Sequence, residues 1–108
     1  MGAVDSRGRV ADRSVLRALG WVAGTRIELC ARDGLVVVER SASAVLLITV
    51  QGHLRLPAVI RHRVGLVAGD RVLLAADPVG DRLIVYPPSV LDDLLVVPHV
   101  VLSGGDLG

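Results

Sequence analysis

Two stretches of the chain, GWVAGTRIELCA at residues 20–31 and GLVAGDRVLLAA at residues 65–76, decide the fold. Seven of their twelve positions are identical at a constant offset of 45 residues, and Ile27 over Val72 is a conservative difference. Agreement at this density indicates an internal duplication. The sequence therefore predicts a first repeat at residues 1–40, a second repeat at residues 41–88 and a C-terminal helix and tail at residues 89–108.

The first half of each repeat is predicted to be a short strand, a turn, a second short strand and a helix of two turns. In the first repeat the turn falls at residues 6–8, Asp12 is a suitable N-cap and Gly20 a suitable helix end. The apolar face of this helix is predicted from Val15, Leu16 and Leu19.

The same elements are expected in the second repeat. Its first strand is predicted at residues 46–50 and its turn at residues 51–52. Pro57 begins the helix and Gly65 ends it, since proline suits the start of a helix and glycine its end. The apolar face is predicted from Val59, Ile60 and Val64.

Each repeat is predicted to end in a hairpin. The first joins strands at 26–31 and 35–39 through Asp33-Gly34, a dipeptide that favours a tight turn. The second joins strands at 71–76 and 83–86, and Pro87 ends it. We expect Trp21 in the core, Cys30 at a small packing position, and structural roles for Arg26 and Arg71 at the strand starts.

A unit of about 40 residues cannot bury a sufficient core alone, so the two repeats must share one. The simplest arrangement is a mainly β fold with short helices, built from two tandem ββαββ-like repeats. We expect a β-barrel with pseudo-two-fold symmetry, since closure also removes free sheet edges.

The composition excludes several classes of function. The chain has one Trp, one Tyr and no Phe, which argues against stacking of exposed bases on aromatic rings. All basic residues are Arg, so no lysine can bind a P-loop phosphate or form a Schiff base. The sequence contains none of the common catalytic motifs, and we expect neither an enzyme nor a cofactor.

The cysteine and histidine residues argue against a disulfide and against a metal site. A single cysteine, Cys30, excludes an intrachain disulfide and fits a reducing cytoplasm. His53, His62 and His99 lack metal-ligand spacing, so no metal site is expected. The N-terminus has no apolar signal core, and the apolar stretch at residues 94–102 is too short to span a bilayer. We expect a cytoplasmic protein without a membrane partner.

The net charge of +1 hides an uneven distribution. Residues 1–32 carry six Arg and three acids, and residues 53–71 carry four Arg, one acid and two His. Residues 72–108 carry one Arg and five acids. The two basic blocks are either separate solvated faces or, if the fold joins them, one surface for a polyanion.

The second repeat contains GHLRLPAVIRHRVGLVAGDRVLL and DRLIVYPP, with Gly52, Leu56-Pro57, Arg61-His62, Val64-Gly65-Leu66 and Gly69-Asp70 in succession. In the order and spacing of these residues it resembles the AbrB/MazE/SpoVT swapped-hairpin DNA-binding family. The first repeat departs from it, since one residue is missing before the helix, Asp12 stands where proline is usual and Thr25 stands for Asp.

The resemblance implies a swapped-hairpin barrel, normally a homodimer, that binds double-stranded DNA and regulates transcription. In this chain both halves are present, so the barrel closes either within one chain or between two chains. Some members of the family are antitoxins that hold a toxin through a C-terminal extension.

The residues that would contact DNA are basic side chains on the predicted turns, short strands and helices. Arg61 and His62 match the family's basic pair, whereas the first repeat has Leu16 and Arg17 there. For any one of these residues alone solvation is the simpler role, whereas the set together with the resemblance favours DNA contact. The candidate set is Arg7, Arg9, Arg13, Arg17, His53, Arg55, Arg61, His62 and Arg63.

A second hypothesis concerns the tail. Ser89 and Asp92 form a capping-box pattern before an apolar run, which predicts a short amphipathic helix. The apolar stretch Val90–Leu102 would bind a toxin, another protein or a second copy of the chain, or it packs back on the barrel. In the first case the protein is an antitoxin or an assembly adaptor.

Overall fold

The computed structural model describes residues 2–90. It confirms a mainly β protein with short helices, and the predicted helix and hairpin of each repeat are present. The elements are β1 (Gly2–Ala3), β2 (Arg9–Ala11), α1 (Arg13–Leu19), β3 (Arg26–Arg32), β4 (Leu35–Arg40), β5 (Leu46–Leu47), β6 (His53–Arg55), α2 (Ala58–Val64), β7 (Arg71–Asp77) and β8 (Arg82–Tyr86).

The strands form two antiparallel sheets. Six strands make a curled half-barrel in the order β1-β7-β8-β4-β3-β5, and β2 pairs with β6 in a two-stranded ribbon. Asp33 and Gly34 both have positive φ, 54° and 78°, as a tight hairpin turn requires. In the strand order, the hairpins β3–β4 and β7–β8 are the four central strands of the large sheet.

The outer strands of the large sheet are exchanged between the repeats. Strand β1 of the first repeat pairs with β7 of the second, with Ala3 opposite Arg71. Strand β5 of the second repeat pairs with β3 of the first, with Leu47 opposite Arg26. Each repeat thus completes the sheet of the other.

The remaining contacts between repeats are centred on equivalent residues. Val10 of β2 lies opposite Leu54 of β6, and these residues follow equivalent turns. Val37 of β4 lies opposite Ile84 of β8, the central residues of equivalent strands. The strand pairing is therefore unchanged when the two repeats are exchanged.

The helices also cross between repeats. Helix α1 packs against β7 and β8, and α2 packs against β3 and β4. Asp12 caps α1 by accepting a hydrogen bond from the Val15 amide, as predicted. Gly20 and Gly65 end the helices with φ of 71° and 73°, in the left-handed region that favours glycine.

A single apolar core joins the two repeats. Its buried members include Trp21, Ile27 and Val38 from the first repeat and Leu54 and Leu83 from the second. Among the described residues none of the charged or polar side chains is buried. Neither repeat could keep this apolar surface from water without the other.

Three expectations are wrong in detail. The strand predicted at residues 46–50 ends at Leu47, because the Thr49 amide already bonds to the His53 carbonyl and begins the turn. Val59 is 71% exposed, because only the Ile60 and Val64 side of α2 faces the sheet. Cys30 is exposed, because the alternation along β3 places Ile27 and Leu29 on the core face and Cys30 on the opposite face.

The predicted tail helix and the apolar stretch continue past Val90 and lie outside the described residues. The hypothesis of a partner bound by Val90–Leu102 therefore stays a prediction. Between residues 2 and 90, none of the helices has both the length and the hydropathy that crossing a membrane requires.

Candidate nucleic-acid interface

The basic residues are concentrated on neighbouring elements. We define the basic surface as residues 5–20 and 49–65, which comprise the β2–β6 ribbon, the turns before it and the two helices after it. It carries seven Arg and two Asp, a formal charge of +5. The other described residues carry five Arg and six acids, a charge of −1.

The β2–β6 ribbon is the centre of the basic surface. Val10 and Leu54 point into the core, where both are buried. The alternation of side chains along a strand then puts the flanking residues on the outer face. There Arg9 lies opposite Arg55 and Ala11 lies opposite His53. One basic residue from each repeat therefore meets at the middle of the surface.

The turn before β2 is organised by Asp5. Its carboxylate accepts hydrogen bonds from the amides of Arg7 and Arg9, at 2.9 and 2.8 Å, and pairs with Arg9 Nε at 2.7 Å. The backbone hydrogen bond from Arg9, followed by its guanidinium, lowers the pKa of Asp5 to about 2. The charge of Arg9 is thus compensated within the turn.

The equivalent turn of the second repeat has no carboxylate. Thr49 Oγ1 accepts a hydrogen bond from the His53 amide at 2.9 Å, in the place where Asp5 bonds to Arg9. His53 is half-buried, and its Nδ1 is buried without a hydrogen-bond partner. Arg55 is exposed and has no acidic partner within residues 2–90.

One basic residue of helix α2 is hydrogen-bonded to the backbone that precedes the helix. The Nε of Arg61 donates a hydrogen bond to the Leu56 carbonyl at 2.9 Å, and the side chain is half-buried. His62 and Arg63 are exposed beside it. Arg61 therefore has a structural contact in addition to the DNA contact predicted for it.

Helix α1 presents a different pair. Arg13 and Arg17 are one turn apart, and both are exposed. They line an open groove of about 360 Å³ with Trp21 and with residues 50–52, the turn of the second repeat. The sequence reasoning missed Val50 and Gln51 as part of this site, because a contact between repeats has no local signal.

All nine predicted site residues lie on the basic surface. Within the described part of the chain, six of them are exposed and free of ion pairs, while Arg9 and Arg61 bond to the protein and His53 is half-buried. The exposed six are Arg7, Arg13, Arg17, Arg55, His62 and Arg63. The structure also assigns a role the sequence reasoning missed, that of Asp5, for which the short Asp5-to-Arg9 spacing was the available signal.

The arginines that begin the hairpins lie outside the basic surface. Arg26 donates to the Ala44 carbonyl at 2.9 Å, which confirms the structural role predicted for it. Arg71 is exposed and has no such contact in the part of the chain described here. Across residues 2–90, the His, Cys, Asp and Glu side chains form no group able to hold a metal ion.

Exposed guanidinium groups therefore stand on both helices and on the ribbon that joins the two repeats. Comparisons of the chain with family models, with curated proteins and with solved structures found no match, so the function is argued from these residues.

Proposed function

We propose that the protein is a double-stranded-DNA-binding transcriptional regulator of the AbrB/MazE/SpoVT type. The observation that carries the proposal is the segregation of charge, with +5 on the basic surface and −1 on the remaining described residues. Phosphate contacts from Arg supply most of the affinity of proteins for DNA. A surface with this excess attracts a polyanion, whereas two scattered solvated faces would not concentrate the charge.

The exposure of the arginines supports binding to phosphates. Arg13, Arg17, Arg55 and Arg63 are exposed and unpaired within residues 2–90, so binding would not first have to break an ion pair. Arginine binds phosphate oxygens and can also read guanine with two hydrogen bonds. The exposed basic residues stand on helices and on a ribbon, elements that fix their positions before DNA arrives.

The strand exchange supports the fold part of the proposal. A swapped-hairpin barrel requires that each unit lend its first strand to the other, and β1 with β7 and β5 with β3 have this relation. The half-barrel sheet and the β2–β6 ribbon both form between the repeats of one chain, so a second chain is not needed to complete the basic surface.

The test is a fluorescence-anisotropy titration of a labelled duplex pool across a salt series. We compare the double variant Arg13→Ala, Arg55→Ala with the matched control Arg32→Ala, Arg71→Ala, which removes the same charge from exposed positions outside the basic surface. The logarithm of the affinity should fall with the logarithm of the salt concentration, with a slope of about −0.9 per phosphate contacted. The first variant should lose about two units of that slope, and the control should resemble the wild type.

Two results would overturn the proposal. One is the absence of binding to duplex DNA at low salt. The other is equal weakening by the two double variants, since that would indicate attraction by net charge alone. A single-stranded competitor of the same length shows whether the duplex is preferred.

A further inference from the structure

The two halves of the basic surface differ at a pair of equivalent glycines. Gly8 and Gly52 occupy the same place in their turns and have the same φ of 77°. A Cβ at Gly8 would lie 2.7 Å from Arg61 Nε and 2.7 Å from the Leu56 carbonyl oxygen. A Cβ at Gly52 would meet nothing within 4 Å. One turn is covered by a guanidinium and the other is open.

Two features lie behind this difference: the Leu56 backbone, which bonds to the Gly8 carbonyl, and the residue at one helix position. Arg61 of α2 and Leu16 of α1 are equivalent at the 45-residue offset. Leu16 is buried in the core, whereas Arg61 reaches back over the turn of the first repeat and bonds to the Leu56 carbonyl. Leu16 lines the open groove beside α1, and in that groove no side chain takes the place of Arg61.

The exposed charges of the two helices are also placed differently. Arg13 of α1 corresponds to Ala58 of α2, and Ala18 of α1 corresponds to Arg63. All four side chains are exposed, so α1 has a cation at its start where α2 has alanine, and α2 has one near its end where α1 has alanine. The backbone is nearly two-fold symmetric in its pairing, but the chemistry displayed on it is not.

We propose that the two repeats contact DNA with different residues, so that one chain recognises an asymmetric site and binds it in a single orientation. This inference rests on the proposed function. In the first half, the exposed Arg13 and Arg17 stand beside an open groove and can reach base edges as well as phosphates. In the second half, Arg61 is held by its Nε, which leaves its terminal nitrogens positioned for a base edge or a phosphate.

A palindrome would not satisfy this surface. A strict two-fold protein reads identical half-sites, because each half presents the same side chains in the same places. Here an identical pair of half-sites would match one repeat and mismatch the other. A mismatched base pair costs about 1–3 kcal/mol of binding free energy, or roughly five- to 150-fold in affinity.

The orientation can be read with cysteine-tethered DNA cleavage on the full chain. Ser6 and Val50 are equivalent, exposed positions on the two turns. Each is changed to cysteine in a Cys30→Ala background, because Cys30 is the single native cysteine and is exposed. A DNA-cleaving chelate is attached, and the duplex is the best site selected from a random pool. Affinity is measured first.

We expect the Ser6→Cys protein to cut one side of the site and the Val50→Cys protein to cut the other. Derivatives of the site made palindromic from either half should bind about tenfold more weakly or worse. Cutting on both sides by each labelled protein, or equal affinity for a palindromic derivative, would overturn the single orientation and leave the DNA-binding function standing. Failure of the unlabelled chain to bind any duplex would overturn both.

Discussion

The Arg61 guanidinium of the second repeat lies directly against Gly8 of the first, and its Nε donates a hydrogen bond to the Leu56 carbonyl. This contact joins the helix of one repeat to the turn of the other. It makes Gly8 the place where the backbone conformation and the lack of a side chain are both required, since φ is 77° and the site is covered.

The comparison of Gly8→Ala with Gly52→Ala separates these two requirements. Both substitutions place a Cβ at positive φ, which costs about 1–2 kcal/mol of folding free energy. Only Gly8→Ala adds overlap with a carbonyl oxygen and a guanidinium, which should raise the cost by about 1–3 kcal/mol. Urea unfolding followed by circular dichroism measures both variants. Equal destabilisation by the two substitutions would show that the Arg61 side chain moves away from the new Cβ without lowering the free energy of unfolding.

The acid dependence of stability should reflect Asp5. Its pKa is lowered from 3.8 to about 2 by the Arg9 amide, the Arg9 guanidinium and the Arg7 amide. The unfolded chain therefore binds more protons than the folded chain between these values. The contribution of Asp5 to stability is present above pH 4 or so and is lost as the pH falls toward 2.

The variant Asp5→Asn tests this assignment. It should be less stable than the wild type at pH 7, and the difference should shrink as the pH falls through the same window. Urea midpoints at pH 7, 4 and 2.5 give the comparison, and Glu28→Gln, at an exposed site without an ion pair within residues 2–90, is the control. A difference that stays constant with pH would contradict the role of the Asp5 carboxylate.

Trp21 connects the core to a loop of the other repeat. The side chain is 3% exposed, and its Nε1 donates to Asp81 Oδ1 at 2.9 Å. Asp81 also pairs with Arg40 Nε at 2.9 Å, and the hydrogen bond from Trp21, followed by the Arg40 contact, lowers its pKa.

We expect Trp21→Phe to lower the unfolding free energy by about 1–3 kcal/mol, through the lost hydrogen bond and the lost ring volume. Thermal unfolding by circular dichroism gives the value. Leu29→Met, a conservative change at a half-buried core position, should have a smaller effect. An unchanged midpoint for Trp21→Phe would mean that the contact with Asp81 adds nothing.

The thiol of Cys30 should react in the folded protein. The side chain is exposed on the outer face of β3, so an aromatic disulfide reagent should modify it about as fast in buffer as in urea. In the double variant Cys30→Ser, Val36→Cys the thiol is at a fully buried position and should be protected until the protein unfolds. Protection of the native Cys30 would show that this face of the sheet is covered in solution.

Local sequence was sufficient for the elements whose cause is local. The cap at Asp12, the helix ends at Gly20 and Gly65 and the turn at Asp33-Gly34 each depend on residues next to one another in the chain. The hairpin strands were predicted to within a residue because β-branched and leucine side chains alternate between two faces. The prediction that Cys30 packs in the core was wrong, since a small residue is compatible with either face of a strand.

The sequence alone determined the duplication, the mainly β fold class and the excess of arginine at residues 1–32 and 53–71, because each is a property of residue type and spacing. Tertiary structure decided which repeat each strand completes, that Arg61 covers Gly8, and that the equivalent groove beside Leu16 is open. Those relations join residues between about 20 and 70 positions apart in the chain. A contact of that kind depends on the free energy of the whole fold, and no local spacing encodes it.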